Sequence, residues 1–283
     1  MMIALFSLLV AAVAAAPDVL GKHLFRGYTV YDPTPLNLSA AIASGWSSPN
    51  ATCVPGVGRL FFKNGAPSEA HPLGLAFNPK NGDLTGLQLW VTKTVPQPLV
   101  SAGWWIADST SWSGFEASIT VGTRSVANSC GSQPATGNNG DRLIVNPSFN
   151  TGIKIPITAM DAAGAGYFNG SYFEYMGYHA FRDIAAKPGQ ITWDANTLSP
   201  IVPMYDGPTG RINAIFFAVP FVQNGLFSSN GWDPLPLLNA LMCKNTCSSD
   251  CTFANTWIWQ TMHIFLRDYT QTGPLHGCTI ACC

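Results

Sequence analysis

Charge is scarce in this chain. Only 10% of residues are charged and the net charge is −1. No cluster of Lys or Arg occurs, which argues against nucleic acid or an anionic membrane as partner. Glutamate occurs at positions 69, 116 and 174 alone, so no carboxylate pair of the glycosidase kind stands out. Beyond the N-terminus no apolar run approaches ~18 residues, so no membrane-spanning helix is expected. There is no Gly-x-Ser-x-Gly elbow, no phosphate-cradling Gly loop, no His-Glu-x-x-His and no zinc-spaced Cys/His set. The strong motifs being absent, function has to be read from context.

Residues 1–16 read as a secretory signal, with an apolar run from Ile3 to Val13 followed by Ala14, Ala15 and Ala16. A secreted, extracellular protein is therefore expected. Its eight cysteines point to disulfides in an oxidising compartment. Cys53 and Cys130 form the simplest early pair. The late group, Cys243, Cys247, Cys251, Cys278, Cys282 and Cys283, is expected to tie residues 243–251 to the tail through three bridges. Asn37, Asn50 and Asn169 each begin a glycan acceptor triplet. Aromatics make up 12% of the chain, with nine Trp; such rings pack cores or face a small ligand.

The organising feature is a hairpin written twice. Residues 199–219 read SPIVPMYDGPTGRINAIFFAV, two apolar arms around an Asp-Gly-Pro-Thr-Gly turn. Residues 71–91, HPLGLAFNPKNGDLTGLQLWV, lie on them without a gap, residue 71 on residue 199. Pro72/Pro200, Gly82/Gly210 and Val91/Val219 are identical, and Leu73/Ile201, Phe77/Tyr205, Asn78/Asp206, Leu84/Ile212 and Leu87/Ile215 keep their character. The match extends outward. Gly58–Lys63 lies on Gly177–Arg182, Gly45-Trp46 on Gly166-Tyr167, and Glu116–Arg124 on Trp259–Arg267. The turn-rich stretch from Asn128 to Asp141 separates the copies. The chain is thus expected to be an α+β protein, mainly antiparallel β and disulfide-stabilised. Its first, degenerate repeat spans 17–140 and its second spans 141–283, the two related by pseudo-twofold symmetry.

Around the two hairpins, strands are expected over His23–Asp32, Val57–Lys63, Phe115–Arg124, Ile153–Thr158 and Trp257–Arg267. Helices are expected over Leu36–Ser44 and Pro234–Lys244. Thr92–Ala102, with two prolines, reads as a loop, and Ala159–Gly166 as a small, Gly-rich connection.

Aligning the copies isolates one chemical difference. His179 faces Leu60 and His263 faces Thr120. Both histidines belong to strands of the second copy, and a Met precedes each, Met176 and Met262. The pair suggests three chemistries. They are metal ligation, with thioether favouring copper among the divalent transition metals and Met262 as a further ligand; acid–base catalysis with Tyr178 and Tyr205 placing a substrate; or capture of the polar end of a small ligand among aromatics. Asp206, Glu174, Asp183 and His276 are the remaining donors for a third metal ligand. The expected function is a secreted enzyme acting on a small, partly apolar molecule at a His179/His263 centre. The alternative is an extracellular binding or matrix protein with an aromatic cleft and no catalysis.

Overall fold

The computed structural model describes residues 25–26, 32–107, 115–122, 129–131, 143–147, 153–173, 176–187, 194, 196–219, 233–235 and 259–266. In chain order the first elements are β1 (Phe25–Arg26), β2 (Asp32–Pro33), α1 (Leu38–Ala43), β3 (Trp46–Ser47), β4 (Arg59–Lys63), β5 (Leu73–Phe77) and β6 (Leu84–Val91). Next come α2 (Gln97–Ser101), β7 (Ile106–Ala107), β8 (Ala117–Gly122), β9 (Leu143–Val145) and β10 (Lys154–Ile155). The remainder are α3 (Ala159–Gly164), β11 (Phe168–Phe173), β12 (Gly177–Phe181), β13 (Ile201–Tyr205), β14 (Ile212–Val219), β15 (Asp233–Leu235) and β16 (Trp259–Phe265).

The strands form two antiparallel sheets of eight. The first runs β10-β9-β8-β6-β5-β4-β3, with β7 beside β8; the second runs β2-β1-β16-β14-β13-β12-β11, with β15 beside β16. A single apolar cluster draws on both, including Phe61, Leu75, Leu87 and Ile119 from the first and Ile201, Ile215, Phe217 and Ile264 from the second. Sheet therefore packs on sheet, each contributing its inward-facing alternate residues. The helices are short and lie in the connections between strands. The Cys53–Cys130 bridge forms as expected.

Both expected hairpins are present, and their details correspond. Each ladder shifts by one residue at the same place, between Ala76 and Phe77 in one and between Met204 and Tyr205 in the other. The turns close with Asn78 N–H on Asp83 O and Asp206 N–H on Arg211 O, both 2.8 Å. Gly82 and Gly210 take φ of 77° and 64° there, a region glycine enters without strain. The shift leaves one residue out of each ladder, and each sends its side chain to a backbone carbonyl. Thr85 Oγ1 donates to Val57 O at 2.7 Å, and Asn213 Nδ2 donates to Met176 O at 3.4 Å.

The sheets do not divide where the sequence does. The hairpin β9–β10 pairs with β8 and completes the first sheet, while β1–β2 pairs with β16 and completes the second. Two connections also differ from expectation. Thr92–Ala102 holds α2, with Pro98 in the first turn, where a missing N–H costs nothing. Ala159–Gly164 is helical because Thr158 Oγ1 caps Asp161 N–H at 3.1 Å and donates to the Asp161 carboxylate at 2.7 Å. Pro234, expected to open a helix, lies in β15 opposite Gln260. The rest of that expected helix and the late cysteines lie outside the described residues. Among the described residues no helix is long and apolar enough to cross a membrane.

Candidate functional site

His179 and His263 stand on one face of the second sheet. In β12, Tyr178 pairs with Tyr205 and His179 with Met204; in β14 and β16, Phe216 pairs with His263 and Phe217 with Met262. Side chains alternate along a strand, and Tyr205, Ile215, Phe217, Met262 and Ile264 all belong to the inter-sheet core. His179, Met204, Phe216 and His263 therefore point to the outer face. There the Phe216 ring lies 5.5 Å from the His179 ring and 5.2 Å from the His263 ring, centroid to centroid. Phe181 approaches Phe216 edge-on at 6.3 Å, and Phe265 stacks on His263 at 6.3 Å. Both histidines are 3% exposed. His179 Nδ1 lies 3.2 Å from Gly177 O, a contact that sets the ring's orientation.

The same alternation separates the other expected site residues from this face. Tyr205 is fully buried between the sheets and donates its hydroxyl to Pro156 O at 2.8 Å. Tyr178 shares its direction, and Met262 packs in the inter-sheet core beneath His263. Neither tyrosine nor Met262 shares a site with the imidazoles. Tyr178 and Met262 each adjoin a histidine in sequence and so face the other way, and Tyr205 pairs with Tyr178. Asp206 is engaged in its turn, where Oδ2 accepts the Thr209 hydroxyl at 2.5 Å. Glu174 and His276 lie outside the described residues.

This geometry bears on metal ligation. Strands β12 and β16 are three steps apart in the sheet, and their two imidazoles lean toward the Phe216 ring that stands beside both. Two histidine nitrogens on one ion would need to stand about 4 Å apart at most, given metal–nitrogen bonds of ~2.0–2.1 Å. Among the described residues no group of three or more His, Cys, Asp or Glu gathers. A metal held by His179 and His263 would thus gain no third His, Cys, Asp or Glu donor among the described residues.

The corresponding outer face of the first sheet is satisfied differently. Trp90 Nε1 donates to Gln88 Oε1 at 2.9 Å, and Gln88 Nε2 donates to Thr120 Oγ1 at 3.1 Å. Thr120 and Gln88 pair across β8 and β6, as His263 and Phe216 pair across β16 and β14. One sheet thus carries a hydrogen-bonded chain where the other carries imidazole, phenyl and imidazole.

A cleft of about 260 Å³ opens elsewhere, where Trp104 and Ile153 meet Gly166, Arg182, Asp183 and Ile184. The Arg182 guanidinium carbon lies 5.9 Å from the Trp104 ring and 5.8 Å from the Tyr167 ring. Burial pushes the Tyr167 hydroxyl up to about 12, with Arg182 pulling the other way. Burial also raises Tyr205, helped by nearby Tyr167 and Asp161. No sequence motif marks this cleft. Its only signal lies in the correspondence of the copies, which places Arg182 on Lys63 and Tyr167 on Trp46. Compared with protein-family models, curated proteins and solved structures, the chain has no significant match.

Proposed function

We propose that this is a secreted, glycosylated binding protein of two duplicated halves, 17–140 and 141–283, that encloses a small, partly apolar molecule at the His179–Phe216–His263 face. The observation that carries the reading is the shared ring: two imidazoles on separate strands flank one phenyl group. Apolar lining with a few polar groups that fix orientation is the usual composition of an enclosed ligand site. Duplication with pseudo-twofold symmetry is supported by equal strand order, the matched ladder shifts and the matched turn hydrogen bonds. On this reading each half lends its opening hairpin to the other's sheet.

The test is a thermal-shift screen of small aromatic and aliphatic polar molecules against wild type, His179→Ala and His263→Ala. A ligand that stabilises wild type should lose at least tenfold in affinity in both variants. Ligands that bind all three proteins equally would sink the proposal, as would a screen without any stabilising ligand. The enzyme reading stands second, favoured by the confinement of both histidines to one half. It requires that turnover of the ligand fall about 10²–10⁴-fold in His263→Ala, the usual contribution of a general acid or base.

A further inference from the structure

We propose that the cleft beside Trp104 is a second binding site, for a small monocarboxylate with a short apolar body, its carboxylate taken by Arg182. The cleft is lined by Trp104, Ile153, Ile184 and Ala186, with Gly166 and Arg182 at its polar side. Its volume of about 260 Å³ falls just below the ~300–1,000 Å³ of drug-sized pockets. One ring or a short branched chain fills such a space.

Trp104 and Tyr167 each lie within 6 Å of Arg182 Cζ, close enough for cation–π attraction. That attraction uses the faces of the guanidinium and leaves its fork of N–H donors. A carboxylate matches the fork with two parallel hydrogen bonds. The corresponding residue of the first sheet is spent otherwise: the Lys63 ammonium donates to Ser44 O. Among the described residues no carboxylate forms an ion pair with Arg182. Asp183 lines the same cleft, but its Oδ1 accepts the Ala185 amide at 2.9 Å. A fixed carboxylate so close selects against dianions, so the site favours a single negative charge over phosphate.

Tyr167 strengthens the case from the side. The residue is 3% exposed. Its ring walls Arg182 on one side, and its hydroxyl lies near enough to the guanidinium to feel its charge. Arg182 follows the last residue of β12, and its carbonyl accepts Ser199 N–H at 2.7 Å. The cation is thus mounted on the sheet and needs little reordering to receive an anion.

Isothermal titration of the full-length protein with benzoate, benzamide and inorganic phosphate tests the assignment. Benzoate should bind saturably, with benzamide and phosphate at least tenfold weaker. Arg182→Gln should weaken benzoate at least tenfold, and Arg182→Lys should recover only part, because an ammonium lacks the fork. Ala186→Phe fills the cleft while keeping Arg182, so it should also abolish binding; it decides the matter if the Arg182 variants fail to fold. His263→Ala should bind benzoate as wild type does, which keeps this site distinct from the histidine face. The proposal is overturned if millimolar benzoate shows no saturable binding. Equal binding by Ala186→Phe, or equal binding of phosphate, also overturns it.

Discussion

Replacing Gly177 by alanine should damage the second sheet far more than the chemistry of one methyl group suggests. Gly177 has φ of 95°, and a Cβ built there would stand 2.2 Å from Tyr205 O and 2.7 Å from its carbonyl carbon. Positive φ costs an L-residue about 1–2 kcal/mol. The overlap is with backbone of the neighbouring strand, so no side-chain rotation relieves it. Strands β12 and β13 must part, at the ~1–3 kcal/mol typical of overpacking, with ladder hydrogen bonds worth about 1 kcal/mol each at risk. The sum with one ladder bond lost is about 3–6 kcal/mol, a large share of the ~5–15 kcal/mol that holds a domain together. Gly166 provides the control. It has φ of 81° but nothing within 4 Å of the added methyl, so Gly166→Ala should cost only the backbone strain. Urea unfolding of both variants by circular dichroism should show Gly177→Ala less stable than Gly166→Ala by about 2–4 kcal/mol, the overpacking and ladder contribution alone. Equal losses would refute the close approach, and with it the placement of His179, whose Nδ1 contacts the Gly177 carbonyl.

Further expectations concern a buried tyrosine and the disulfide. Tyr167 is raised from 10.0 to about 12 by burial, against the pull of Arg182. A raised folded value means stability is intact below pH ~10 and is lost as pH rises toward 12; about two units correspond to about 3 kcal/mol. Urea midpoints at pH 8, 10 and 11 should fall in that order, and Tyr167→Phe should flatten the decline; an unchanged slope would contradict it. The bond Cys53–Cys130 spans 77 residues, for which loop-closure entropy predicts about 4.5 kcal/mol of stabilisation. The Cys53→Ser/Cys130→Ser variant should lose that in the same assay, and a loss under about 1 kcal/mol would show that the 53–130 loop is ordered without the bond.

Much of the fold was legible because two periodicities coincide. Leu84–Val91 and Ile212–Val219 each read as a strand, and the gapless match between them aligns the two hairpins residue for residue. The ladder shift beside Phe77 and Tyr205 was not legible, since it depends on cross-strand hydrogen bonding rather than composition. The α3 helix had a readable sign, the Thr158-x-x-Asp161 cap, which the small residues after it concealed. At the site, alignment located His179 and His263 on strands but gave no direction for their side chains. Face follows parity along each strand, and parity turns Tyr178, Tyr205 and Met262 toward the inter-sheet side. Phe216, which links the two imidazoles, carries no polar signal and could only be found through the ladder. Arg182 was similarly invisible, since its meaning comes from Trp104, a ring distant in sequence.

The hairpin at β1–β2 has a consequence in time. Its partner β16 lies far along the chain, with Phe25 pairing to Phe265. At ~5–20 residues per second, β1 waits on the order of ten seconds or more for its neighbour. The opposite hairpin, β9–β10, meets β8 within a few tens of residues of synthesis. The first sheet can thus close before β16 is made, and the second only after it. The second sheet's edge is exposed for that interval to any strand that offers itself, and a slow, late folding phase belongs to that sheet.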